Sequence, residues 1–408
     1  MIRHQVYFDT LGSLKEDSAS WRSVFAGLSV LRLIDAHVDR VLGAAPPNWA
    51  QLHSVRAAVD EIHDGDPVRG VLGCVIDEVT TRGAVDETVC VALLSYGRAL
   101  DYEASWGLAT DVFGTVARVA KPEKNPGLAV EANIAIGGAA RRNGDWEVSA
   151  RAYSQAAYLA DTVGDRKGVL TVQVGIANTY IAKGNLPQAK LILDDVIVQA
   201  RDQRLPEVEG FALHSSAALA QKLGDKAAVV KLAYEALNIT TAPSARDAVL
   251  GELAAGFSEL GMHDAARDAH LILAATAQAK WVRWQATINL MEIASIEGME
   301  SAFTAYANDL RHVPMGPWLK SYFLLFLGEG LARFGRGDEA SQALAEAIDF
   351  SALNQIHPVT FKAESALVAL RAANRRPATA PDFHRLTEEV LAAAHAISDL
   401  RQVAVAKA

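Results

Sequence analysis

The residue types that could carry chemistry are present in this chain, but they are scattered. There are eleven histidines. His263 and His270 stand seven apart and so share a side of any helix they lie on. A metal would need further His, Asp or Glu ligands beside them, and the sequence supplies none at a useful spacing. His270 falls on the inward position of its segment and reads as a satisfied, half-buried histidine. His53 and His63 bracket a helical segment with no third ligand in sight. Asp77-Glu78 and Glu388-Glu389 are adjacent carboxylates, and neighbours on a helix point apart instead of pairing for acid/base work. Cys74 and Cys90 make neither a disulfide framework nor a metal knuckle and read as buried thiols. There is no phosphate-binding glycine loop, no His-Glu-x-x-His, no Cys-x-x-Cys and no Gly-x-Ser-x-Gly. Trp281, Trp284, Ile288 and Met291 recur at helical spacing, which suits a core better than a ligand cage. The expectation is a protein that is not an enzyme and holds no metal and no cofactor.

Composition narrows the partner classes. Of 408 residues, 50% are apolar and 21% charged, enough for a large core and unlike a disordered chain. Alanine and leucine dominate the apolar set, which favours closely packed helices. The net charge of −9 comes with no Lys/Arg stripe, so no nucleic acid is expected as partner. The longest strongly apolar run, 322–327, stops after six residues, far short of the ~18 a membrane helix needs. The first residues lack the apolar region of a signal peptide. A cytoplasmic protein with no membrane contact is expected.

The elements that would position any site come from a repeat. A turn recurs at Gly65, Ala104, Gly144, Gly184, Gly224, Gly261, Gly298 and Gly335, at spacings of 39, 40, 40, 40, 37, 37 and 37 residues. A glycine in the left-handed conformation ends a helix without penalty. The Asp or Asn that follows in four of the turns accepts from the first free amides of the next helix. Each turn therefore joins a helix A to a helix B. Seven residues before the turns stand Ala58, Gly97, Gly137, Ala177, Ala217, Ala254, Met291 and Gly328. Five residues after them stand Gly70, Ala109, Ser149, Ala189, Val229, Ala266, Phe303 and Ala340. Mostly small, these let helices A and B approach closely. All thirteen prolines avoid helix interiors. Pro122, Pro126, Pro206, Pro243, Pro314, Pro317 and Pro358 fall between pairs, and Pro67 and Pro187 in the first turn of a helix B.

This pattern resembles the tetratricopeptide repeat family. The eighth repeat carries it through Leu327, Gly328, Gly335, Ala340, Leu344 and Ala347. The third does so through Ile136, Gly137, Gly144, Asp145, Trp146, Tyr153 and Ala156, and the fourth through Ile176, Ala177, Tyr180, Gly184, Ala189 and Leu193. The resemblance covers roughly residues 51–350. The family period is about 34 residues, so either the helices or the loops between pairs are longer here. HEAT repeats match a period of ~40 but leave the paired small positions unexplained. The expected fold is all-α: a right-handed α-α superhelix, a TPR-like solenoid of about eight hairpins with capping helices at both ends.

The expected division is an N-terminal tail (1–17), a capping helix and loop (18–50), the repeat array (51–358) and a C-terminal capping pair (359–408). Within the last, 361–373 and 382–400 read as a ninth, degraded hairpin joined over 374–381. The resemblance implies a non-catalytic scaffold or adaptor for a protein or peptide, held on the concave face lined by the A helices. Positions ten, six and three before each turn then give Arg98, Asp101, Arg141, Asn178, His214, Gln221, Ser258, Glu292, Ser295 and Glu329 as the polar lining. It runs from cationic and neutral to acidic, suiting a peptide with opposed charges at its ends. The alternative is a peptide- or ligand-responsive regulator without a DNA-binding domain of its own. Self-association through the solenoid ends is compatible with either.

Overall fold

The computed structural model describes residues 2–40, 49–63, 66–103, 105–120, 125–277, 280–313, 315, 317–353, 356–371 and 387–405. Among these residues there are twenty helices and no strand. α1 (Gln5–Ser13) and α2 (Ala19–Arg40) come first. Eight pairs follow: α3 (Trp49–Asp60) and α4 (Pro67–Arg82); α5 (Glu87–Tyr102) and α6 (Trp106–Val119); α7 (Pro126–Arg142) and α8 (Trp146–Thr162); α9 (Arg166–Ala182) and α10 (Leu186–Asp202); α11 (Pro206–Leu223) and α12 (Lys226–Ile239); α13 (Pro243–Glu259) and α14 (His263–Thr276); α15 (Lys280–Ile296) and α16 (Glu300–Arg311); α17 (Pro317–Arg333) and α18 (Gly337–Leu353). α19 (His357–Arg371) and α20 (Glu388–Val405) close the chain. A helix flanks every expected turn on both sides. Gly65, Ala104, the loop expected over 374–381 and the last residues of the helix expected over 18–43 lie outside the described residues.

The local chemistry that stops and starts these helices is the one the residues dictate. Gly144, Gly184, Gly224, Gly261, Gly298 and Gly335 all have positive φ, between 71° and 81°. Asp145 and Asp225 accept from the amides of Val148 and Ala228 at 3.1 and 3.0 Å and so open α8 and α12. Pro126, Pro206, Pro243 and Pro317 are the first residues of α7, α11, α13 and α17, where a missing N–H costs nothing. The links between pairs use the same device. Gly164 and Arg204 are also left-handed, so turns recur every twenty residues from 144 to 224. Asp165 accepts from Gly168 N at 2.9 Å.

This accounts for the long period. α7, α8, α9 and α10 have 17 residues each and are joined by three-residue turns, which fills 40 residues. The helices, not the loops, are extended. The later period of 37 arises because the B helices shorten, α12 and α14 to 14 residues and α16 to 12.

The small residues of the A helices receive large ones from the B helices. A Cβ at Gly137 would lie 2.6 Å from the Tyr153 ring, and one at Gly328 would lie 2.7 Å from Leu344. Phe113 fills the same place over Gly97. The seventh pair, with Met291 and Phe303 at the small positions, moves the accommodation on: Phe303 packs onto Gly330 of the next helix. Both Met291 and Phe303 are fully buried.

The chain divides into two compact units, Met1–Val196 and Ile197–Ala408, with the boundary inside α10. In the first, each helix from α4 to α8 packs against the next, and α5, α7 and α9 also touch in sequence. α1 and α2 are docked on this stack. α2 packs against α3, α4 and α6, and α1 against α2 and α6. The segment expected as a tail thus contains a helix, and Tyr7 of it is fully buried with its hydroxyl 3.1 Å from that of Tyr96. Cys90 is buried, as expected, and burial pushes its thiol up to about 11. Cys74 is instead exposed, because Leu72, Val75, Ile76 and Val79 take the inward face of α4.

In the second unit α11, α13, α15, α17 and α19 likewise alternate with B helices, and neighbouring A helices touch from α11 to α13 and from α15 to α19. α19 packs on α17 and α18 as a further helix A would. α20 does not return along it. It crosses back to lie against α12 and α14, so the expected ninth hairpin is replaced by a clasp on the B side. Its stripe of Val390, Ala393 and Ile397 is buried there. No helix among the described residues is long and apolar enough to cross a membrane.

Candidate functional site on the A-helix face

The ten expected lining residues all lie on A helices, and the structure treats them in two ways. In the first unit they are tied down. Arg98 of α5 pairs with Glu131 of α7. Asp101 of α5 accepts from Arg142 Nε of α7 at 3.0 Å. These bonds join neighbouring A helices. Arg141 is half-buried beside the Tyr153 hydroxyl; burial pushes its pKa down, and its Nε makes no hydrogen bond. Asn178 is half-buried on α9. A cleft of about 290 Å³ between α9 and α10 is lined by Gln173, Ile176, Leu191, Ile192 and Asp195.

In the second unit the lining begins with His214, whose pKa burial lowers, and with Gln221, which donates to Glu259 Oε1 at 3.1 Å. Ser258 is half-buried on α13. The remaining three residues come together. Ser295 of α15, itself buried, donates to the Glu292 carbonyl at 2.7 Å and accepts from Arg333 Nη1 of α17 at 2.8 Å. Glu329 of α17 accepts from the same guanidinium at 3.4 Å. Glu292 faces Glu329 across a cleft of about 580 Å³, also lined by Phe326 and by Phe361, Lys362, Ser365 and Ala366 of α19.

The electrostatics of this cleft are unusual for a surface. Burial strips water from the Glu292 carboxyl, and the Glu329 charge adds to the effect. Arg333 and Lys362 oppose both, yet the pKa still rises to about 7. A carboxylate in that position gains from any cation brought to it. Phe361, 66% exposed, and Phe326 offer apolar faces beside the acids. An alkyl chain ending in a cation matches that combination of surfaces.

The sequence placed Glu292, Ser295 and Glu329 on one face but missed their neighbours. Phe326 and Arg333 sit nine and two residues before the turn at Gly335, outside the three positions used. Phe361 and Lys362 were assigned to a cap, whereas α19 continues the A series. Glu131, which pairs with Arg98, lies one helical turn before a lining position, and Arg142, which pairs with Asp101, lies next to one. The adjacent carboxylates singled out for chemistry at 77–78 are paired locally. Asp77 and Glu78 accept from Arg56 and Arg82. His270, expected half-buried and satisfied, is instead buried with its Nδ1 making no hydrogen bond, and burial lowers its pKa to about 4. Trp281 and Trp284 pack against the second unit's core. No group of three or more His, Cys, Asp or Glu able to hold a metal occurs among the described residues.

The fold defines the class: among the described residues, an all-α array of helix hairpins. No protein-family model matches the chain, and no curated protein matches it. Among solved structures it is similar to that of a Rap protein complexed with competence and sporulation factor. The match has 11% identity and a TM-score of 0.34, and covers 86% of this chain and 98% of that one.

Proposed function

We propose that this chain is a non-catalytic scaffold that binds a peptide or protein segment along the A-helix face, reading a lysine or arginine of that segment in the cleft between α15, α17 and α19. The observation that carries the reading is the half-buried Glu292 facing Glu329, with Phe326 and Phe361 beside them. A ligand ammonium or guanidinium supplies the charge that Glu292 lacks, and its methylenes cover the rings. The paired Arg98 and Asp101 of the first unit hold helices together in this reading, and the recognition falls to the acidic cleft of the second unit.

The test uses fluorescein-labelled hexapeptide pools, each fixed at one position as Lys, Arg, Glu or Ala and random elsewhere. Fluorescence anisotropy with the full chain should favour the Lys and Arg pools over the Glu pools at least tenfold, since one desolvated charge pair is worth about 1.4 kcal/mol or more. Glu292→Gln with Glu329→Gln should abolish the preference. Equal binding of all pools, or a preference that survives the double substitution, would sink the reading.

A further inference from the structure

We propose that the outer side of α12 and α14 is a helix-receiving groove, which α20 fills in cis and which an amphipathic helix of a partner protein fills in trans by displacing α20. This surface lies on the B helices and is independent of the cleft on the A face.

The groove follows from the packing. Neighbouring A helices touch in both units, whereas the B helices α12 and α14 are bridged by α20. The first unit uses the same solution, with α2 touching both α4 and α6. The effect on α14 is visible position by position. From Ala265 to Ala274 no residue is exposed, and the outward Ala265, Asp268 and Ile272 are all buried. On α16, which no such helix covers, Ser301, Ala305, Asn308 and Asp309 are exposed.

What the groove recognises can be read from its present occupant. α20 presents Val390, Ala393 and Ile397 at spacings of three and four, each 1% exposed or less. Small or branched side chains let its backbone settle low between two helices. Charges fix the direction. Glu389 lies 3.3 Å from Lys231 of α12, and Arg401 lies 3.3 Å from Asp268 of α14. With α20 seated, Asp268 is a carboxylate only 7% exposed, so a helix that fills the groove covers an anion and must meet it with a cation. The fitting partner is a helix with an acid, small or branched apolar residues one, four and eight positions later, and a cation twelve positions later.

Two features make α20 replaceable. In the sequence, sixteen positions, 372–387, lie between the end of α19 and the start of α20. The pair at its start joins two exposed side chains, 57% and 59% accessible, and adds little. Helix-in-groove recognition with a tethered competitor is the resulting mode.

The probe is a fluorescein-labelled peptide of residues 387–405, added to the full chain and to the full chain carrying Val390→Asp and Ile397→Asp. The substituted chain should bind the peptide at least tenfold more tightly than the unaltered one, and a peptide with Arg401→Glu should lose that gain. Equal affinity for both chains, or no binding to either, overturns the proposal. Hydrogen exchange on the unaltered chain gives a second reading that needs no variant. The amides of α20 should exchange at least tenfold faster than those of α14; a shared rate overturns the proposal. A doubled mass of the unaltered chain in solution, lost on Ile397→Asp, would assign the groove to a second copy's α20 and overturn the partner-helix reading.

Discussion

At the scale of single residues, Glu292 is the most informative side chain. Its pKa stands near 7 in the folded chain against 4.5 for an ordinary glutamate. The folded state therefore holds a proton that the unfolded state has released between these values, and stability falls as pH rises through that window. Glu292→Gln removes the titration. Thermal melts should show the variant more stable than the parent at pH 8, by about 1–3 kcal/mol, and the difference should vanish below about pH 4. A variant that is equally or less stable at pH 8 would mean that Glu292 already has its counter-charge. Glu292 was legible in the sequence as a lining position because the turn at Gly298 sets its register. Its raised pKa was not, because it depends on Glu329, Arg333 and Lys362 arriving from two other helices.

At the scale of elements, the fit between helices A and B rests on pairs such as Gly137 and Tyr153. The Tyr153 ring is wedged between Gly137 and Gly175 of successive A helices, so it has nowhere to retreat. Gly137→Ala should gain about 1 kcal/mol from helix propensity and lose about 1–3 kcal/mol from overpacking, for a net loss read by urea unfolding. Combining it with Tyr153→Leu should recover part of that loss. These pairs were legible because both partners keep a fixed offset from one glycine. The fate of the last helix was not. Val390, Ala393 and Ile397 announce an apolar stripe, but a stripe does not say which face it covers, and the nearest candidate in sequence, α19, is not the one chosen. α1 was missed for a similar reason: nine residues with a single buried side chain, Tyr7, carry too weak a period to be seen.

At the scale of the whole molecule, the array needs its open ends fastened. At the N-terminus a cluster of charges adds to the buried apolar face of α1 and α2. His4 is 5% exposed, with Nδ1 2.5 Å from Asp111 of α6 and Nε2 3.3 Å from Asp35 of α2. Arg3 reaches Asp35 and Asp39, and Arg118 reaches Asp35. Burial opposes a charge on His4, but the hydrogen bonds and charges of Asp111 and Asp35 outweigh it and raise the imidazole to about 9. Burial likewise opposes the Asp35 charge, and His4, Arg118 and Arg3 hold that carboxyl well below its usual range. A histidine raised in this way stabilises fully below its unfolded pKa of about 6.5, and the effect is lost as pH rises through 9. Protection of α1 amides against hydrogen exchange, corrected for intrinsic rates, should therefore drop between pH 7 and pH 9.5. His4→Gln should show the lower protection already at pH 7. A pH-independent protection would refute a charged His4.

The back-crossing of α20 also changes how the chain carries load. Most contacts in a helical array join neighbours, so tension on the two ends would peel the helices off one by one. Here the Lys231–Glu389 contact joins residues 158 positions apart. A pull on the C-terminus reaches α12 and α14 first, and α15 to α19 lie inside a closed loop that bears no force. Those five helices, with the acidic cleft among them, are mechanically shielded until α20 lets go, and its release would then free a long stretch of slack in a single step.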